Sequence, residues 1–209
     1  HNDLAYLLKT QGQHAAAETH YRRALSIRRS VYGPAHPKTT RVMQNLAGTL
    51  WAAEKYAAVE SILRERVRVL RDEAPADTGR VGTALGGLAR FLAERGRFAE
   101  AVEPARATYA LYRSLYGPEN LYTICKQGEV GALLDVRGRG AAADSLLKRP
   151  HDALRARRDT VLRHRDTYTR LDVRTSLRTI VRVLERGDAT DWLPRYRALR
   201  ASYAPDEDI

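Results

Sequence analysis

Cysteine is nearly missing from this chain: Cys125 stands alone in 209 residues, which excludes an internal disulfide and any cysteine-rich metal site. Long apolar runs are missing too. Nothing approaches the ~20 residues needed to span a bilayer, and no secretory leader is visible. The expected compartment is the cytoplasm, with an exported domain of a membrane-anchored parent as the alternative. Lysine is scarce, 5 against 31 arginines, a bias that a GC-rich coding genome produces without any polyanion partner. The six histidines, His1, His14, His20, His36, His151 and His164, form no HExxH or other metal spacing. Phosphate-cradling glycine loops, nucleophile elbows and kinase signatures are likewise lacking. These absences leave no enzyme class standing, and no cofactor or metal is expected.

What the chain does have is a period. Tyr32-Gly33-Pro34 returns as Tyr116-Gly117-Pro118, 84 residues on. Asn45-Leu46-Ala47 aligns with Asp3-Leu4-Ala5 behind it and Gly87-Leu88-Ala89 ahead, each a step of 42. Gly12, Gly96 and Gly138 fall on the same lattice, with Glu54 midway between the first two. A fixed step of this length marks a stacked repeat protein. The 44% hydrophobic content supplies a core and argues against global disorder.

Within each period the apolar residues are spaced for helices. Ala17, Tyr21, Ala24, Leu25 and Ile27 make a stripe on a helix from about Ala15 to Val31. Gly33 suits that helix's left-handed cap, and Pro34 and Pro37 keep it from continuing. The next helix is predicted over Thr40 to Ala53. Pro104 should kink the helix containing it, and at Pro150 the expected second helix of the fourth repeat either continues through the proline or restarts after it. Gly187 is the candidate next turn glycine, flanked by helices over Val173–Arg186 and Trp192–Ser202, with Asp191 as N-cap. The boundaries drawn are 1–38, 39–77, 78–120 and 121–147 for regular repeats, 148–203 for an irregular Arg-rich continuation that caps the array, and 204–209 for a frayed acidic tail. Because the sequence opens inside the first helix of a repeat, it reads as a fragment of a longer protein.

The pattern Leu4-Ala5…Gly12…Ala17…Tyr21…Ala24-Leu25 resembles the tetratricopeptide repeat, in which a small residue of one helix nests against an alanine of the next. The 42-residue step, the loops YGPAHP and YGPEN, and QNLA are similar to its kinesin-light-chain subclass. The resemblance covers about residues 1–147 well and 148–203 weakly. It implies an all-α, right-handed α-solenoid of four to five antiparallel helix pairs. Departures are Glu54 at the turn-glycine position, and Arg66 and Thr108 at small-alanine positions, which predict looser packing there or a register shift of a residue or two.

The same resemblance implies a scaffold binding a peptide or partner protein in a concave groove walled by first helices. Carried over by position, that wall holds Asn2, Tyr6, Lys9, Arg41, Gln44, Asn45, Gly48, Trp51, Arg90 and Glu94. Asn45 is the position that hydrogen-bonds a ligand backbone in such families; Asp3, Gly87 and Glu129 replace it in the other repeats. Trp51 reads either as a binding anchor or as packing between repeats. Lys9, Arg41 and Arg90 read as carboxylate receptors or as a solvated face. Bacterial arrays of this kind resemble the C-terminal parts of multidomain regulators, so docking on other domains of the parent is a further expectation, and self-association through an uncapped first repeat another.

One alternative stands beside the scaffold. Residues 148–200 carry 15 basic and 7 acidic side chains, most of the chain's net +11, so nucleic acid or another polyanion is a candidate partner. Asp152, Asp159, Asp166 and Asp172 punctuate the run and offer ion pairs to its arginines, which points instead to a salt-bridged surface.

Overall fold

The computed structural model describes residues 1–138, 140–163, 167–187 and 191–203, of which the side chains of 140 and 167–171 are left aside. The expected tail 204–209, the ion-pairing role of Asp166 and the setting of His164 lie outside the described residues. Every element among the described residues is helical. In order they are α1 (Asn2–Thr10), α2 (His14–Tyr32), α3 (Pro37–Ala52), α4 (Tyr56–Glu73), α5 (Thr78–Glu94), α6 (Phe98–Tyr116), α7 (Leu121–Asp135), α8 (Gly140–Ala156), α9 (Arg158–Arg163), α10 (Thr167–Glu185) and α11 (Trp192–Ser202). The chain forms two compact units, His1–Ala84 and Leu85–Ile209, whose border falls inside α5.

In the first unit α1 packs on α2, α2 on α3 and α3 on α4. Of the predicted stripe, Ala17, Tyr21, Ala24 and Leu25 are buried and Ile27 is not, at 47% exposure; Ala5, Val42, Met43, Leu46, Leu50 and Val59 complete the core with no exposed surface. Helix α3 starts three residues earlier than predicted. His36 caps it by accepting the Lys38 amide at 3.2 Å, and Pro37 takes the first helical position, where its missing N–H costs nothing. Thr39 then ties the loop down, its hydroxyl donating to the Gly33 carbonyl at 2.8 Å. Gly33 does have positive φ, but at φ 85° and ψ 164° it is not the left-handed cap; that combination is open essentially to glycine alone.

The turns inside the helix pairs do use the left-handed conformation, at Gly12, Gly96 and Gly138 with φ between 71° and 75°. Glu54 adopts it as well, at φ 57°, because the repeat geometry overrides the residue. Glu54→Gly is therefore expected to stabilise the first unit by about 1 kcal/mol, read as a higher urea midpoint at unchanged m-value. An unaltered midpoint would mean that the turn carries no strain.

Of the two alanine replacements for which looser packing is the expectation, Thr108 lies in the second unit and is tightly packed. It is 1% exposed and donates to the Pro104 carbonyl at 2.8 Å. Gly86 makes the room: a Cβ there would stand 3.3 Å from the Thr108 methyl. In the first unit Arg66 is also buried, at 5% exposure.

Helix α6 runs through Pro104 without ending, and α8 runs through Pro150. Of the two readings open at Pro150, the structure takes the continuous one: the ring is buried inside an unbroken helix. Pro150 has no N–H to give the Leu146 carbonyl, and that carbonyl lies against Gly131 of α7, 3.1 Å from where a Cβ would be. Gly187 follows α10 as predicted, but it serves for contact: a Cβ would come within 2.4 Å of the Val136 side chain. Asp191 occupies the N-cap of α11 without donating or accepting a capping bond through its side chain.

Helix α10 packs on α7, α11 on α8, and the two on each other. Cys125 and Glu129 of α7 meet Ser176, Gly128 meets Ile180, and Val136 meets Gly187, so α10 runs parallel to α7. Three tyrosine and tryptophan polar groups lock this assembly. The Tyr196 hydroxyl donates to the Leu147 carbonyl at 2.8 Å, the Tyr203 hydroxyl to the Leu154 carbonyl at 2.7 Å, and the Trp192 indole N–H to Asp144 at 2.8 Å.

Candidate interaction stripe

On α3, Arg41, Gln44, Asn45, Gly48 and Trp51 fall at i, i+3, i+4, i+7 and i+10, one stripe of the helix. On α1, Asn2, Tyr6 and Lys9 do the same. The structure brings these two stripes together at Gly48, where an added Cβ would stand 3.1 Å from the Lys9 ammonium. Lys9 thus lies across the α3 stripe, and the absence of a side chain at 48 is what admits it.

Burial along the stripe is graded. Tyr6 is 60% exposed, Arg41 and Gln44 are exposed, and Asn2, Lys9, Asn45 and Trp51 are half-buried. Lys9, Arg41, Gln44 and Asn45 make no side-chain hydrogen bond or ion pair among the described residues, whereas Trp51 is engaged. Asn2 donates to Asp3 at 3.0 Å, and its side-chain oxygen is buried without a partner. The result is a row of polar groups, two amides and two cations, with bonding capacity left over.

In the second unit Arg90 and Glu94 share one face of α5, at i and i+4. Arg90 is exposed and has no ion pair among the described residues. Glu94 is already engaged from within the chain: Arg182 of α10 pairs with its carboxylate at 3.2 Å. Arg186, one turn on, donates to the Glu94 and Ala93 carbonyls.

The 84-residue step maps the α3 stripe onto Cys125, Gly128, Glu129, Ala132 and Asp135 of α7. There the chemistry is different. Cys125 is 3% exposed and Ala132 not at all, Gly128 is buried, and α10 lies over them. A Gly128 Cβ would meet the Ile180 methyl at 2.9 Å. Glu129, at the Asn45 position, accepts the Ser176 hydroxyl at 2.5 Å and pairs with Lys126 at 2.8 Å. Burial opposes the Lys126 charge, but the Glu129 carboxylate outweighs it and holds the ammonium protonated above its usual range. Burial also pushes the Cys125 thiol up to about 12, so it is no nucleophile. The sequence carried a signal for this cover, the change from Arg, Gln, Asn to Cys, Gly, Glu at equivalent positions, but it did not say which later segment would lie there.

The Arg-rich half mostly spends its guanidinium groups on its own fold. Arg149 donates to Gln127 at 2.8 Å, Arg157 to the Glu119 carbonyl at 2.7 Å, Arg158 to the Ser202 carbonyl at 2.7 Å and Arg174 to the Tyr203 carbonyl at 2.6 Å. Asp159 pairs with an arginine of the run as predicted, Arg158 at 2.7 Å, whereas Asp152 pairs instead with Lys148 at 2.6 Å. Among the described residues no three His, Cys, Asp or Glu side chains gather as metal ligands, and no helix is long and apolar enough to cross a membrane.

Comparison with known proteins agrees with this architecture. Residues 1–72 and again 81–122 match the tetratricopeptide repeat family. Among solved structures, the nearly identical TPR-like repeats of a Podosopora anserina kinesin light chain superpose with a TM-score of 0.63 at 19% identity, over 96% of this chain and 93% of that one. BtubC (BKLC) from P. vanneervenii superposes at 0.66 and 19% identity, over 97% and 80% of the respective chains. No curated protein matches the sequence.

Proposed function

Because the chain belongs to the tetratricopeptide repeat family, a family of protein-interaction scaffolds, we propose that it binds a peptide segment of a partner protein along the α1–α3 stripe of its first unit. The observation that carries this reading is the contrast between equivalent helices. On α3 the stripe keeps polar side chains with unused donors and acceptors; on α7 Cys125, Gly128 and Ala132 at the same positions are small and covered by the chain's own α10, and Glu129 is spent on Ser176 and Lys126. Gln44 and Asn45 have amides that can bond an extended backbone through both donor and acceptor, which fixes a peptide with little demand on its sequence. Lys9 and Arg41 flank them and favour acidic side chains or a terminal carboxylate. Tyr6 adds an exposed ring at the rim.

The test is to pan a displayed library of linear peptides on the full chain, then measure retained peptides against Gln44→Ala/Asn45→Ala. Losing two amides that bond a ligand is expected to weaken binding roughly tenfold. Both positions are exposed or half-buried, so the urea midpoint should not move. Peptides that bind the double variant as tightly as the parent, or a library that yields no binder, would remove this reading.

A further inference from the structure

A cavity of about 620 Å³ lies in the second unit, between α8 and α11. Helix α8 gives it Lys148, His151, Asp152 and Arg155, at i, i+3, i+4 and i+7 and so on one face. Helix α11 gives Trp192 and Arg195, and Arg158 closes one end. Four permanent cations thus face one carboxylate.

That carboxylate is already used. Asp152 pairs with Lys148 at 2.6 Å and with His151 at 3.1 Å. Arg158 is held by the Ser202 carbonyl at 2.7 Å and Asp159 at 2.7 Å. Arg155 and Arg195 have no acidic partner among the described residues, and both are exposed. Arg195 is nevertheless oriented: its guanidinium lies 4.8 Å over the Trp192 ring. The ring is itself fixed by the indole bond to Asp144 and is 6% exposed. Stacking on an aromatic face leaves a guanidinium's N–H fork directed outward and reduces the freedom lost on binding.

We propose that this cavity is a binding site for an organic phosphate, with Arg155 and Arg195 as the phosphate-holding forks. Two guanidinium groups offer bidentate bonds matched to phosphate oxygens. The volume falls in the range that holds a metabolite-sized body, and Leu199 and Ala198 supply an apolar wall for it. The lining comes only from residues 148–158 and 192–202, so the site is local to this one corner of the unit and is no track for an extended chain. A sugar phosphate and a nucleotide share the chemistry required.

Calorimetric titration of the full chain with inorganic pyrophosphate and with AMP tests the site. Binding of pyrophosphate is expected, with at least about a tenfold loss in Arg155→Ala/Arg195→Ala, since each fork makes charge-assisted bonds. Tighter binding of AMP than of pyrophosphate would identify a nucleotide as the source, and equal or weaker binding would point to the phosphate group alone. Arg178→Ala/Arg200→Ala, which removes two exposed arginines outside the lining, is expected to bind as the parent does. Absence of binding by the parent, an equal loss in the control pair, or equal displacement by a polyglutamate peptide would each overturn the proposal.

Discussion

Gly131→Val should destabilise the second unit by about 3 kcal/mol, a lowered urea midpoint with the loss centred on α7 and α8. A Cβ at 131 would stand 2.9 Å from the Leu147 side chain, 3.0 Å from the Leu146 carbonyl carbon and 3.1 Å from its oxygen. Leu147 is fully buried and has nowhere to turn. The Leu146 backbone is worse placed to yield, because shifting it moves α8 and with it the Tyr196 and Trp192 bonds. Gly131 and Pro150 are linked here: the carbonyl left without a helical donor by Pro150 is the group that Gly131 allows to approach. Valine is the informative replacement, since alanine recovers up to about 1 kcal/mol of helix propensity and would mask part of the clash. Gly79→Ala is the control. The nearest atom to a Cβ there is Asp77 Oδ1 at 3.9 Å, so that change should leave stability equal or higher. If Gly131→Val unfolds at the parental midpoint, α7 and α8 are not in backbone contact.

Tyr196→Ala is the second large effect, a loss of about 3–5 kcal/mol. Its ring is fully buried among His151, Trp192 and Leu147, at ring separations of 5.6 Å from His151 and 6.2 Å from Trp192. Burial raises the hydroxyl's pKa, so it stays protonated and donates to the Leu147 carbonyl. Tyr196→Phe keeps the ring and deletes only that bond, and about 1 kcal/mol is expected. The difference between the two variants separates packing from hydrogen bonding. Equal losses would mean that the hydroxyl, not the ring, secures α11 to α8.

The fold was legible because its determinants are local and periodic. Gly12, Gly96 and Gly138 mark turns by themselves, and the 42-residue step exposed even Glu54 as a turn residue in an unsuitable side chain. Ala5, Ala17 and Tyr21 could be placed in the core from spacing alone. Pro150 left two readings open because a proline's cost in a helix depends on what receives the carbonyl it abandons, and Gly131 lies 19 residues away. Of the proposed stripe, positions 41, 44, 45 and 48 came from the repeat resemblance, and their common face follows from helical spacing. The contact of Lys9 with Gly48 was not readable, because it depends on how α1 packs against α3. The engagement of Glu94 was not readable, since Arg182 sits 88 residues further on and many arginines were equally eligible.

The parallel course of α10 beside α7 has an electrostatic consequence for the backbone. Antiparallel neighbours cancel each other's peptide dipoles, whereas parallel ones add, so the carboxyl ends of α7 and α10 gather partial negative charge on one side of the unit. The end of α5 joins them, as the reach of Arg182 and Arg186 to Glu94 and Ala93 shows. Those two guanidinium groups sit where the carbonyl ends converge. Part of the chain's positive excess is therefore a counterweight to its own peptide groups, and the field it presents to a partner is smaller than its formal charge.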